Sequence, residues 1–174
     1  MDVRAMNTCL LAKWIDRLER GDNSICCNIL RRKYLGEKSI FQVRGRQGSQ
    51  FWRSLLDIRE WFQRGRVVQV VSGQQTRFWH DCWLGECPLR ILFPHMFSIA
   101  VNPDLDVCQA WTEDRWSVPF RRQLHGIHGL EWEQLQGLLR EVTLGEGRDK
   151  MVWALDQSKK YSSGSLYRAI TFGG

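Results

Sequence analysis

The stretch SQFWRSLLDIREWFQ at residues 49–63 constrains this chain more than any other. Ser49 is placed to cap a helix in which Phe51, Trp52, Leu55, Leu56, Ile58, Trp61 and Phe62 spread over a wide apolar face, ending before Gly65. A face of that width is stable only when buried, so packed structure must surround it. The chain has the means: 174 residues suit one ordinary domain or two small ones, and 43% hydrophobic against 25% charged residues is a globular balance, not a disordered one. Its nine tryptophans belong first to such a core and second to faces where bases or partners stack.

Other segments supply partners for that helix. Asn7–Glu19 places Leu10, Leu11, Trp14 and Leu18 at helical spacing with Asn7 as N-cap. A second helix, capped by Asp22 or Asn23, runs through Ile25, Leu30 and Tyr34 to Gly36, and the short turn predicts antiparallel packing of the two. Residues 36–49 mix Gly, Ser and charge and read as a loop and boundary. From Val67 the pattern turns β-branched (VVQVV), then Ser72-Gly73-Gln74 leads to an alternating Thr76–Trp79, which predicts a hairpin. Short helical turns interrupted by Pro94, a turn of helix within Asp104–Ala110, an extended run near Trp116–Phe120, a helix over Glu131–Val142, a strand at Met151–Leu155 and a helix over Ser163–Ile170 complete the reading. The expected class is α+β, predominantly α-helical, with a small antiparallel β-hairpin near 67–83 and a second short β element near 151–161. The expected division is 1–46, a basic helical pair, and 47–174, a Trp-rich α+β connector.

Charge is distributed unevenly along the chain. Residues 1–66 carry 14 Lys/Arg against 7 Asp/Glu, while residues 67–174 carry 11 against 12. Concentrated positive charge suits a polyanion, because each neutralised phosphate releases counterions, although a solvated basic face has the same composition. Six cysteines at 9, 26, 27, 82, 87 and 108 follow no framework spacing and no secretory signal, so reduced thiols and an intracellular setting are expected. No apolar run reaches the roughly 20 residues that span a bilayer, so no membrane partner is expected.

Complete catalytic sets are absent from the sequence. Neither GxGxxG nor GxxxxGK[ST] occurs, which removes the usual backbone cradle for nucleotide phosphates. No Asp-Asp pair is present to hold the two cations of a polymerase. His80-Asp81-Cys82 with Cys87, joined by His95 or Cys108, is the best candidate for zinc, but its spacing matches no standard knuckle, and alternation along a strand explains it as well. The four histidines have no nucleophile elbow beside them, and His125 and His128 read as surface-loop residues. Asp81, flanked by Trp79 and Trp83, is expected to accept indole or turn N–H bonds as a structural tie. No catalytic residue, metal or cofactor is therefore expected.

The run TRFWHDCWLG (76–85), with PL at 88–89 and FPHMFSIA at 93–100, resembles the "FW.D.WLG…PL…FP.LF.IA" segment of plant non-LTR (LINE-type) retrotransposon reverse-transcriptase polyproteins. NTCLLAKW (7–14), Lys33-Tyr34 and SQFW (49–52) resemble that family's upstream motifs, and FRRQL (120–124), DKMVWAL (149–155) and YSSGSLY (161–167) its downstream ones, in one order from about residue 6 to 172. The family's glycine-rich "vGdG" turn is weakened to VSGQ (71–74), and the usual Trp of the second helix is replaced near Cys26-Cys27. The resemblance implies a connector between the polymerase thumb and a C-terminal zinc-binding segment, starting after the polymerase aspartates and stopping before the zinc-binding cysteines. It also implies the nucleus as a candidate location, although the basic residues form no compact import cluster.

These readings combine into a non-catalytic connector holding template RNA or target DNA. Arg31, Arg32, Lys33, Arg44 and Arg46 are its expected phosphate contacts, Phe78, Trp79, Asp81 and Trp83 its structural motif, and the rest of the polyprotein its other partner. The competing reading is an inert structural or protein-interaction remnant.

Overall fold

The computed structural model describes residues 2–172. In chain order these form α1 (Val3–Glu19), α2 (Ile25–Leu30) continued by a π-helical turn (Arg31–Leu35), a 3-10 turn (Ile40–Gln42), α3 (Gln50–Gln63) and β1 (Arg66–Gln69). Next come α4 (Leu89–Leu92), α5 (Pro94–Ser98), α6 (Val107–Ala110), β2 (Trp111–Thr112), β3 (Arg115–Trp116), α7 (Ile127–Leu139), β4 (Lys150–Trp153) and α8 (Ser163–Phe172). The class is the expected one, predominantly helical α+β. The contacts divide the chain at Val67/Val68 and again at Asp149/Lys150, giving one unit of residues 1–67 with 150–174 and a second of residues 68–149 inserted within it. The Gly/Ser-rich stretch around residue 46 therefore lies inside the first unit.

In the first unit, α3 forms as its pattern dictates: Ser49 Oγ accepts from Trp52 N–H, and Trp52, Leu55, Leu56, Ile58 and Phe62 are buried. Truncating one such aromatic costs on the order of 3–5 kcal/mol. The face opposing it on α1 keeps Leu11, Trp14 and Leu18 of the expected residues and loses Leu10. Ala5, Cys9, Ala12, Ile15 and Leu18 are buried, whereas Leu10 is 52% exposed. α1 packs against both α3 and α8, so its buried face is wide: the small residues lie at its centre, while Leu11 and Trp14, partly buried, flank it, Trp14 edge-on to Phe51 at 5.4 Å. The helix also begins earlier than Asn7, because Asp2 Oδ1 caps it by accepting from Arg4 N–H at 2.8 Å. The C-terminal segment closes this core. Trp153 packs on Phe62 (4.8 Å) and Tyr161 (4.9 Å), its indole N–H donates to Ser165 Oγ at 2.8 Å, and Tyr161 Oη donates to Cys9 O at 2.6 Å. One buried ion pair sits there: Arg66 Nη2 donates to Glu19 Oε2 at 3.1 Å, and Ser39 Oγ and Ile40 N–H also donate to that carboxylate.

The second unit is built around Phe78, Trp79, Phe93, Met96, Leu135 and Leu139. The hairpin expected near 67–83 is not formed. β1 is present, but its ladder partner is β4; of the residues that would return along it, Cys82 meets it, its O accepting from Val68 N–H at 2.8 Å, while the backbone just after β1 is otherwise engaged. Val71, Ser72 and Gly73 N–H donate to Asp149 Oδ1 at 2.8, 3.0 and 2.9 Å, and Gln75 N–H and Thr76 Oγ donate to Oδ2 at 3.1 and 2.6 Å. A backbone curled around a carboxylate in this way has no N–H groups left for a strand ladder. Gly73 makes the curl possible: its φ is +74°, and a Cβ there would lie 2.7 Å from Cys108 N. The unit's hairpin is instead β2–β3, pairing Trp111 with Trp116 and Thr112 with Arg115. Its two-residue turn, Glu113-Asp114, has both φ values positive (52° and 58°), the handedness that matches strand twist. The second β element expected near 151–161 is β4.

Candidate nucleic-acid interface

Dividing the chain into its two units sharpens the charge asymmetry. The first unit holds 18 Lys/Arg against 8 Asp/Glu, a net +10, and the second holds 7 against 11, a net −4. The C-terminal segment contributes Lys150, Lys159, Lys160 and Arg168 to the basic unit, and Arg20 Nη2 reaches Lys159 O at 3.4 Å. No N-terminal charge count could have joined these residues to the rest, because only the fold returns them.

Several arginines of this unit are committed to structure. Arg17 hydrogen-bonds Asp22 at 2.7 Å and, with help from Ser24, holds that carboxyl down to about 2. Arg20 pairs with Asp16, Arg59 donates to Val43 O at 2.9 Å, and Arg66 is buried on Glu19. Of the five expected phosphate contacts, Arg31 joins this group. It is half-buried, donating to Asn28 Oδ1 and Asp22 O, both at 3.0 Å, so it fastens the turn between α1 and α2. Arg32, Lys33, Arg44 and Arg46 are exposed, and Arg46 forms an ion pair with Asp57 in which both side chains remain largely solvated.

Tyr34 brings the two sequence groups together. Its ring stacks on Trp52 at 4.5 Å and 8°, Lys33 Nζ lies 5.3 Å from its centroid, and its hydroxyl accepts from Ser49 N–H at 3.2 Å. That hydrogen bonding from Ser49 holds the phenol below its usual pKa. Arg32 and Lys33 on the π-helical turn and the 44–49 loop thus meet at the N-terminus of α3, where exposed Arg53 adds one more cation. Such a surface offers several phosphate contacts beside partly exposed rings (Tyr34, and Phe51 at 37%). At the C-terminal end of α3, Arg64 covers Trp61 at 4.2 Å.

The structural motif holds the second unit's core. Phe78, Trp79 and Asp81 are buried and Trp83 is half-buried. Asp81 makes the turn bond, not the indole one, of the two expected for it. It accepts from Arg77, by backbone N–H at 2.7 Å and Nη2 at 2.9 Å, while Trp83 Nε1 donates to Phe78 O at 2.9 Å. Among the described residues the Trp79 indole N–H has no partner. The zinc candidates are dispersed. His80 sits edge-on to Phe97, and burial, reinforced by Arg77 and Arg90, lowers its pKa. His95 Nδ1 lies 2.6 Å from Glu131, and Cys82 faces Gly85 O at 3.8 Å. No group of three or more His, Cys, Asp or Glu that could hold a metal occurs among the described residues. His128 lies on α7, not in a loop, while His125 is exposed ahead of it. All six cysteines are free thiols. No helix among the described residues is long and apolar enough to cross a membrane.

No family model matches the chain, and no solved structure matches it. Two curated proteins of Arabidopsis thaliana are similar to it. One, provisionally named a ribonuclease H protein, is 27% identical over 97% of this chain and 27% of its own length. The other, an uncharacterized mitochondrial protein, is 31% identical over 51% of this chain and 58% of its own length. The chain thus spans about a quarter of the first relative and somewhat over half of the second.

Proposed function

We propose that the chain is a non-catalytic, nucleic-acid-holding segment of a retroelement-derived protein, in which the basic unit carries RNA or DNA backbone. The observation behind this reading is the charge partition: +10 on the unit of residues 1–67 with 150–174, against −4 on the other. It is supported by exposed Arg32, Lys33, Arg44 and Arg53 around the start of α3. The resemblance of its motif order to that of LINE-type polyproteins supports a position between polymerase thumb and zinc-binding region. The name of the longer relative is that of a protein acting on nucleic acid. In this role the tryptophan-rich cores hold geometry, and catalytic groups belong to other parts of the parent protein. The nucleus is the compartment this reading implies.

The test is fluorescence anisotropy of labelled oligouridylate and oligothymidylate across a salt series. Binding should weaken linearly in log[salt], and R32E/K33E should reduce that slope by about 1.4 if both residues contact phosphate on a single strand. Salt-independent binding, or a charge-reversed variant indistinguishable from the parent, rejects the proposal. A second reading, a protein-interaction piece, is favoured by Val3, Met6 and Leu10, which lie exposed along one face of α1 at i, i+3 and i+7. It predicts no nucleic-acid binding and self-association that L10E abolishes.

A further inference from the structure

The second unit contains a cleft of about 490 Å³ between the β2–β3 hairpin and the end of α7. One wall is aromatic. Trp116 is fixed there, donating from Nε1 to Leu139 O at 3.0 Å and backed by Phe78 and Trp83 at 6.1 and 5.9 Å. Trp111, its cross-strand partner, meets it edge-to-face at 4.9 Å and is half-buried. The other wall is polar. Arg140 caps the C-terminus of α7, and Gln136 and Thr143 flank it. Among the described residues none of these three side chains has a hydrogen-bond or ion-pair partner. An aromatic wall with three solvent-accessible polar side chains not committed to other protein groups, in a cleft of ligand size, is a build that suits a small ligand.

We infer that this cleft binds one nucleotide, its base against Trp111 and its phosphate on Arg140. The base is called for by the indole pair, since ring faces stack any base with little sequence preference. The phosphate is called for by a guanidinium with no carboxylate on it. Gln136 and Thr143 supply the donors and acceptors that a base edge or ribose hydroxyl requires. The inference goes beyond the basic-surface reading and stands on residues of the other unit, so the two fail separately.

The nucleotide could be free or one residue of a single strand. The full-length chain, ¹⁵N-labelled, is titrated with adenosine monophosphate, with inorganic phosphate and with a short oligoadenylate while the tryptophan indole resonances are followed, Trp111 being assigned through W111F. Adenosine monophosphate should shift the Trp111 resonance, and R140E, at an exposed position with no partner to lose, should weaken that response about tenfold or more. Oligoadenylate binding more tightly than the mononucleotide through the same resonance identifies the strand as source; equal or weaker binding identifies the free nucleotide. An unshifted Trp111 resonance with both adenylate probes, a response to phosphate alone, or R140E titrating like the parent chain overturns the inference. R32E/K33E should leave this titration with adenosine monophosphate unchanged, whatever it does to strand binding.

Discussion

Asp149→Asn should destabilise the second unit by about 4–6 kcal/mol. The carboxylate is 7% exposed and accepts five hydrogen bonds, three on Oδ1 from Val71, Ser72 and Gly73, and two on Oδ2 from Gln75 and Thr76. An asparagine oxygen can keep the first three, but without charge assistance, which removes on the order of 1 kcal/mol from each. Its amide nitrogen then faces the buried Gln75 N–H, donor against donor, and an unsatisfied buried donor costs about 1–3 kcal/mol. Thr76 can rotate its hydroxyl to accept, so T76V alone should cost less than D149N, and the two should be strongly non-additive. The assay is guanidinium unfolding followed by tryptophan fluorescence, with hydrogen exchange to locate the loss. Amides 71–76 should lose protection while those of α3, in the other unit, keep theirs. A loss below about 1 kcal/mol with an unchanged denaturant slope would refute the argument that the charge holds this loop.

Three further outcomes rest on the same physics. Arg66→Met leaves Glu19 buried with only Ser39 and Ile40 as donors, and should cost about 3–5 kcal/mol in chemical denaturation; the double change E19M/R66M should recover most of it. Gly73→Ala combines a left-handed φ with a Cβ set 2.7 Å from Cys108 N, so unfolding midpoints should show a loss above about 2 kcal/mol. His80 has a folded pKa below its unfolded value of about 6.5. Its contribution is therefore present above that pH and lost as pH falls below it, so the second unit's urea midpoint should drop on acidification, and H80Q should flatten that slope.

The sequence revealed elements better than their partners. α3 was legible because one helix presents its apolar face at 3.6-residue spacing and carries its own Ser49 cap. α1 was legible as a helix and largely in orientation, since Leu11, Trp14 and Leu18 reach the core; its buried Ala5, Cys9 and Ala12 were not, because small residues register weakly on a pattern built from large ones. The false hairpin has the same root. Alternation after Val67 is a true strand signal, yet the partner strand lies some 80 residues on, and the backbone N–H groups just beyond β1 are spent on Asp149. Exposure was legible for four of the five expected phosphate contacts, because Lys/Arg runs on a helix are usually solvated. Arg31 failed that rule, since the carbonyls of the preceding turn, invisible in a sequence, captured its guanidinium.

Two motif fragments that look independent in the sequence are halves of single contacts. VSGQ (71–74) and the Asp of DKMVWAL (149–155) form one clasp, which ties the first residues of the 68–149 unit to its last. An inserted unit needs its ends held together if its host is to stay continuous on either side, and an aspartate with five donors does so without a disulfide. Within that weakened turn Gly73 stands at the position where φ is positive and the backbone passes Cys108. In the same way Trp153 of DKMVWAL meets Ser165 of YSSGSLY at 2.8 Å, which returns the C-terminal segment, with Lys159 and Lys160, to the basic unit. The charge partition is thus a consequence of the packing. If Trp153→Phe freed the C-terminal segment, those cations would leave the basic unit on which strand binding is proposed, and affinity should fall although no cation was mutated.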